Sequence, residues 1–246
     1  MRVNHKIWIL FAFFLPAACT QGQDRPVTAP AGSEQVYAFR QPQSSDGSGK
    51  YYMGREIAQV MGHLGAGWLE RPEREREERT DLLLKELDLA PTAVVADVGA
   101  GSGYFTFRLA PLVPRGKVLA VDIQPEMLEK IREAKPKAGV TNVETVLGSI
   151  TDPNLPADSV DLALFVDAYH EFSHPYEMMM NIRKALRPGG RVVLVEYRAE
   201  DPNVPIRPRH KMTQAQAVKE MEAVGLRFVG NKKSLPQQHL LIFKKE

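Results

Sequence analysis

The chain has 246 residues, 43% of them apolar and 25% charged, with a formal net charge of +2. That length holds one good-sized domain, and the near-balanced charge offers no strongly basic footprint, so no nucleic-acid partner is implied. A single cysteine excludes a disulfide framework.

Residues 1–18 read as a signal peptide. Arg2, His5 and Lys6 precede an apolar run from Ile7 to Leu15, and Pro16-Ala17-Ala18-Cys19 follows. An apolar core of this length is too short to span a bilayer. The segment resembles a bacterial lipoprotein signal, except that the usual leucine is displaced to Leu15, with Pro16 in its place. That resemblance implies export, to the periplasm or to a membrane tether through lipidated Cys19. Cleavage after Ala18 with a free Cys19 thiol is the alternative. A true start further along, for instance at Met53, would leave the protein cytoplasmic.

Residues 19–50 read as a flexible tether, because Gln41 to Gly49 carries no large apolar side chain to offset the entropy of ordering. From Tyr51 to Leu69 the apolar residues Met53, Ile57, Val60, Met61, Leu64 and Trp68 fall at helical spacing. Pro72 suits a first helical turn, and Glu73 to Leu87 continues as a helix, with Leu83, Leu84 and Leu87 inward and its Glu/Arg run in solvent. Residues 51–90 are thus expected as an N-terminal helical lid or cap. Tyr52, His63 and Trp68 either close over a site or, in the case of Trp68, pack into a core.

Over residues 91–246 the pattern becomes strand, glycine turn, helix, and then repeats. Strands are expected at Val94–Val98, Lys117–Asp122, Val143–Leu147, Val160–Val166 and Val192–Tyr197, with helices over Tyr104–Ala110, from Pro125, and over Pro175 to Leu186. Thr213 to Gln216 has capping-box spacing and opens a helix that Gly225 ends. Leu226–Val229 and Leu240–Phe243 close the chain as a hairpin-like pair. The alternation predicts a doubly wound α/β sheet, mostly parallel and covered on both faces. Ligands of such sheets bind beyond the carboxyl ends of the strands, at the switch in winding direction.

Chemistry concentrates there. Asp97-Val-Gly99-Ala100-Gly101-Ser-Gly103 joins the first strand of the series to a helix, and its glycines allow a sharp turn and close approach of a ligand. Asp122, at the end of the second strand, can accept hydrogen bonds from both hydroxyls of a ribose, or else cap the helix that Pro125 starts. Together with Leu186-Arg-Pro-Gly-Gly-Arg-Val-Val-Leu194, these segments resemble the motifs of class I S-adenosylmethionine (SAM)-dependent methyltransferases. The resemblance runs from about Leu82 to the C-terminus. It implies a Rossmann-like, seven-stranded sheet with an antiparallel C-terminal strand, SAM as cofactor and a methyl acceptor, read as a small molecule. It also implies that Gly99, Ala100, Gly101 and Gly103 lie beneath the amino-acid end of SAM, that Asp97 helps position that end, and that Asp122 holds the ribose. The family often carries an acidic residue after the third strand. Here Gly148-Ser149-Ile150 stands there, so Ser149 or a backbone group must serve the adenine, with Ile123 and Ile150 as apolar walls.

The fourth strand delivers Asp167, Tyr169 and His170 to the substrate side. His170 is a candidate general base for a hydroxyl or thiol, or a packing histidine, and Asp167 is a candidate to orient the substrate. The Asn/Asp-Pro-Pro-aromatic element of many nitrogen methyltransferases is missing, which weighs against nucleobase and amide acceptors. His170-Glu-Phe-Ser-His174 spells the zinc-protease pattern H-E-x-x-H, but Pro175 disfavours helix at His174, so no metal ligands are assigned. Arg207, Arg209, His210 and Lys211 follow the fifth strand, near a substrate mouth or in a solvated loop. Three alternatives remain: a zinc hydrolase, a nicotinamide-dependent oxidoreductase, and an exported binding module without catalysis. The oxidoreductase fingerprint G-x-G-x-x-G is not matched, and the oligomeric state is left open.

Overall fold

A computed structural model describes residues 36–246; the signal peptide, Cys19 and the first part of the expected tether lie outside them. Two sheets make up the described chain. Strands β1 (Tyr37–Phe39), β2 (Gly47–Tyr52) and β3 (Arg55–Ala58) form a small antiparallel sheet. The large sheet holds β4 (Val94–Val98), β5 (Lys117–Asp122), β6 (Val143–Leu147), β7 (Val160–Val166), β8 (Leu186–Tyr197), β9 (Leu226–Lys232) and β10 (Gln238–Lys245).

The large sheet has the order β6-β5-β4-β7-β8-β10-β9, parallel from β6 to β8, with β10 antiparallel to both of its neighbours. Alternate residues face opposite layers. Ala96 and Val98 pack with Met178, Met179 and Ile182 of α6 (Pro175–Ala185) and Met221 of α7 (Gln214–Glu222). Val95 packs the other way, with Leu83 of α3 (Thr80–Glu86), Phe105 and Leu109 of α4 (Tyr104–Leu109), and Leu128 and Ile131 of α5 (Pro125–Ala138). Burial on both faces explains why these strands are near-continuous apolar runs. The chain winds one way from β4 to β6 and the other way through β7, so the switch point lies between the carboxyl ends of β4 and β7.

Three expectations are corrected. The tether does not reach residue 50, because Tyr37–Phe39 pairs with Lys50–Tyr52 in the small sheet. Tyr51–Leu69 is not a helix: β2 and β3 turn back at Met53 and Gly54, both at positive φ (49° and 98°), and only α1 (Ala66–Leu69) is α-helical. Leu64, assigned to the apolar stripe, is 92% exposed. The helix from Glu73 to Leu87 is broken into α2 (Arg74–Glu78) and α3 by Arg79, which is left-handed at φ 53°. Arg74 and Glu78 of α2 are buried as an ion pair with Nε–Oε2 at 3.0 Å, so that run is not a wholly solvated face.

Candidate functional site

The turn after β4 sits on the next strand. The backbone N–H groups of Gly99 and Ala100 donate to the Val121 carbonyl at 2.9 and 3.0 Å, and that of Gly101 donates to Asp122 Oδ2 at 2.9 Å. Gly99 and Gly101 are left-handed, at φ 77° and 56°, and a Cβ on Gly99 would meet Ala168 Cβ at 2.8 Å. Only glycine meets both demands without strain. Asp122 Oδ1 accepts from the Gln124 N–H at 2.9 Å. Burial raises the Asp122 pKa, and the backbone donors of Gln124 and Gly101 oppose that shift.

An open pocket lies above this turn at the switch point, with about 880 Å³ of empty space counted out to solvent. Of the residues picked out from sequence, Gly99, Gly101, Asp122, Ile123, Ser149, Ile150 and Asp167 line it. Ile123 and Ile150 are 38% and 50% exposed, two large apolar side chains held open at its mouth. The Ser149 hydroxyl is turned into its own loop, where it accepts from the Asp152 N–H at 3.0 Å. Asp167 is left-handed (φ 49°) and accepts from Gln238 at 2.8 Å through Oδ2, while Oδ1 is buried without a hydrogen-bond partner among the described residues. Burial, with Glu78 and Glu196 nearby, holds its pKa well above the usual carboxylate range.

The structure does not bring the other sequence candidates to the pocket wall. Asp97 is buried behind the turn, where Thr106 Oγ1 donates to its Oδ2 at 2.6 Å; burial, with the Asp122 charge added, pushes its pKa up to about 6. Ala100 and Gly103 face inward too, a Cβ on Gly103 meeting Phe107 at 2.8 Å. Tyr169 donates to Glu220 Oε2 at 2.8 Å inside the core. His170 points away as well: Nδ1 lies 2.6 Å from Glu196 Oε2, and Nε2 lies 3.0 Å from His210 Nδ1. Burial alone would lower its pKa, but the Glu196 carboxylate outweighs that and leaves it raised. His170 and Glu171 stand in a 3₁₀ turn (Tyr169–Glu171), while His174 precedes α6 and contacts the Ser173 hydroxyl. The H-E-x-x-H residues therefore do not share a helical face.

Residues 59–70 form a strap across the pocket. Met61 N–H donates to Glu171 Oε2 at 3.0 Å, Gln124 donates to the Met61 carbonyl at 3.1 Å, and His63 N–H donates to Gln124 Oε1 at 2.8 Å. Val60, Met61 and Leu69 join the pocket wall. The small sheet behind the strap is fixed by Arg55, which grips Glu220 through two contacts of 2.7 and 2.9 Å, and by Glu56, which pairs with Arg209 at 2.9 Å. Arg209, expected in a substrate mouth or a solvated loop, is thus engaged in holding the N-terminal layer. Gln124 and Glu171 were missed as site residues; the place of Gln124 beside Asp122 and of Glu171 after the fourth strand were the available signals.

A family model described as a methyltransferase domain matches residues 90–240. An uncharacterised methyltransferase-like protein of Schizosaccharomyces pombe is 35% identical over 126 residues, 51% of this chain and 46% of that protein. An arsenite methyltransferase of Halobacterium salinarum is 35% identical over 107 residues, 43% of this chain and 27% of that protein. The chain thus spans less than half the length of these curated relatives. The solved structure of a SAM-dependent methyltransferase from Aquifex aeolicus superposes with a TM-score of 0.72 at 23% identity, covering 76% of this chain and 100% of that one. At that identity the likeness is one of fold.

Proposed function

The chain belongs to the class I SAM-dependent methyltransferase family, and on that premise we propose that it moves the methyl group of SAM to the oxygen or sulfur of a small-molecule acceptor. The contact between the Gly101 N–H and Asp122 Oδ2 carries the reading. It ties the ribose-side carboxylate to the glycine turn at the switch point, and a carboxylate holding two backbone N–H groups keeps lone pairs for two ribose hydroxyls. The bare backbone at Gly99 and Gly101 lets the amino-acid end lie against the turn. The unpartnered Asp167 Oδ1 is an acceptor for its ammonium, whose positive charge opposes the burial and the Glu78 and Glu196 charges that favour the protonated carboxyl in its absence, and Ile123 and Ile150 flank the adenine.

Bound there, SAM supplies an electrophilic methyl group on its sulfonium. The protein's own part is to orient the acceptor and exclude water. Met61 and Leu69 of the strap exclude water, and Glu171 stands on the acceptor side, where it also anchors the strap. Asp97 acts from behind through Thr106, as a positioning residue. The acceptor class rests on the strap-narrowed mouth and on Asp167-Ala-Tyr-His170 standing where many nitrogen methyltransferases carry Asn/Asp-Pro-Pro-aromatic. Labelled SAM offered with panels of hydroxyl, thiol and amine compounds should give transfer to oxygen or sulfur; transfer only to amines would overturn the acceptor class. Asp122→Ala should weaken SAM binding by about tenfold or more, the worth of a charge-assisted hydrogen bond. We also propose export and acylation at Cys19, for which palmitate labelling of the wild type but not of Cys19→Ser is the check.

A further inference from the structure

We propose that His170, Glu171 and His210 bind a divalent first-row transition-metal ion of the zinc type, with Glu196 orienting His170. The proposal concerns metal binding and stands whether or not the chain transfers methyl groups. Two segments supply the donors: the 3₁₀ turn after β7 holds His170 and Glu171, and a 3₁₀ turn after β8 (Pro208–His210) holds His210. Their donor atoms form a triangle. Nε2 of His170 lies 3.0 Å from Nδ1 of His210 and 3.8 Å from Oε1 of Glu171, and the third edge is 3.3 Å. Ligands at roughly 2.0–2.1 Å around a tetrahedral ion are about 3.3 Å apart, so the triangle fits one face of such a site.

Proton and charge placement point the same way. His170 Nδ1 lies 2.6 Å from the fully buried Glu196 carboxylate. Its proton belongs on that side, which turns the Nε2 lone pair toward His210 and Glu171. This is the carboxylate–histidine–metal arrangement that fixes ring orientation in metal sites. Glu171 and Glu196 have no Lys or Arg ion pair among the described residues; the titratable groups within 4.0 Å of them are these two histidines, which carry no charge as neutral ligands. Two carboxylates facing two imidazoles leave a charge that a dication balances. Two nitrogens and one carboxylate oxygen favour Zn²⁺ or Co²⁺ over Mg²⁺ or Ca²⁺. A three-ligand set also leaves a position for water or for an acceptor heteroatom, and Glu171 belongs to the pocket wall.

The test is titration of the metal-stripped full chain with Zn²⁺ or Co²⁺ alone, read by elemental analysis and by visible absorption of the Co²⁺ form. One ion per chain is expected. His210→Ala should abolish the Co²⁺ band while melting like the wild type. Glu196→Gln, which can still accept from Nδ1, should weaken binding by about 10–100-fold. His174→Ala should bind as the wild type does. Absence of stoichiometric binding, binding unchanged in both His210→Ala and Glu196→Gln, or binding lost in His174→Ala would each overturn the proposal.

Discussion

The N-terminal layer of residues 36–70 and the seven-stranded body are held in place by different forces. In the body, Val95, Ala96, Val118, Ala120, Leu164, Val192 and Leu194 are all fully buried between two helical layers. The N-terminal layer also buries Tyr52 and Ile57, but outside the two core clusters of the body, and polar groups tie it down: Arg55 on Glu220, Glu56 with Arg209, and Met61 and His63 on Glu171 and Gln124. Apolar burial writes itself into consecutive residues. A docking made of a few charged pairs leaves almost no local trace, because Arg55 and Glu220 are far apart in the chain and neither announces the other.

The contrast can be broken most severely at Glu220. Glu220→Ala leaves the buried Arg55 guanidinium and the Tyr169 hydroxyl without their partner, and losing one member of a buried pair costs about 3–5 kcal/mol. Urea unfolding should show that loss, and trypsin should cut within residues 36–70 sooner than in the wild type. An unchanged cleavage pattern would mean that the layer is held elsewhere.

Inside the body, Asp97 tests the opposite case, a charge that burial disfavours. Its folded pKa is pushed up to about 6 from 3.8, so between those values the folded state holds a proton that the unfolded state has released. The stabilisation is present below about pH 4 and lost as pH rises to about 6, roughly 3 kcal/mol in all. Asp97→Asn does not titrate and can still accept from Thr106. Its stability relative to the wild type should therefore grow from pH 4 to pH 7; a constant difference would show that Asp97 ionises normally.

The smallest effect is also diagnostic. Leu64→Ala should change stability by less than about 0.5 kcal/mol, as an exposed side chain does. A loss of about 2–5 kcal/mol would be the mark of a buried leucine, and would restore the apolar helical stripe.

These regions also differ in how far the sequence exposes them. The bounds of β4 to β7 coincide with the expected strands, because each is an apolar run closed by glycine, proline or a polar loop. The glycine turn and Asp122 were legible for the same reason: they follow directly from β4 and β5. The N-terminal layer was misread because Met53, Ile57, Val60, Met61, Leu64 and Trp68 satisfy a helical period, whereas the signals against a helix were Gly54, Gly62, Gly65 and Gly67. Met53-Gly54 is in fact a two-residue hairpin turn. The ring of His170 could not be placed from sequence because Glu196 and His210, which turn it away from the pocket, come from another strand and loop.

The most direct test of the methyltransferase reading is calorimetric titration of the purified full chain with SAM, with NADH as a control. Micromolar binding of SAM, none of NADH, and a clear loss of SAM affinity in Asp122→Ala are expected. A folded protein that binds NADH and not SAM would contradict the reading.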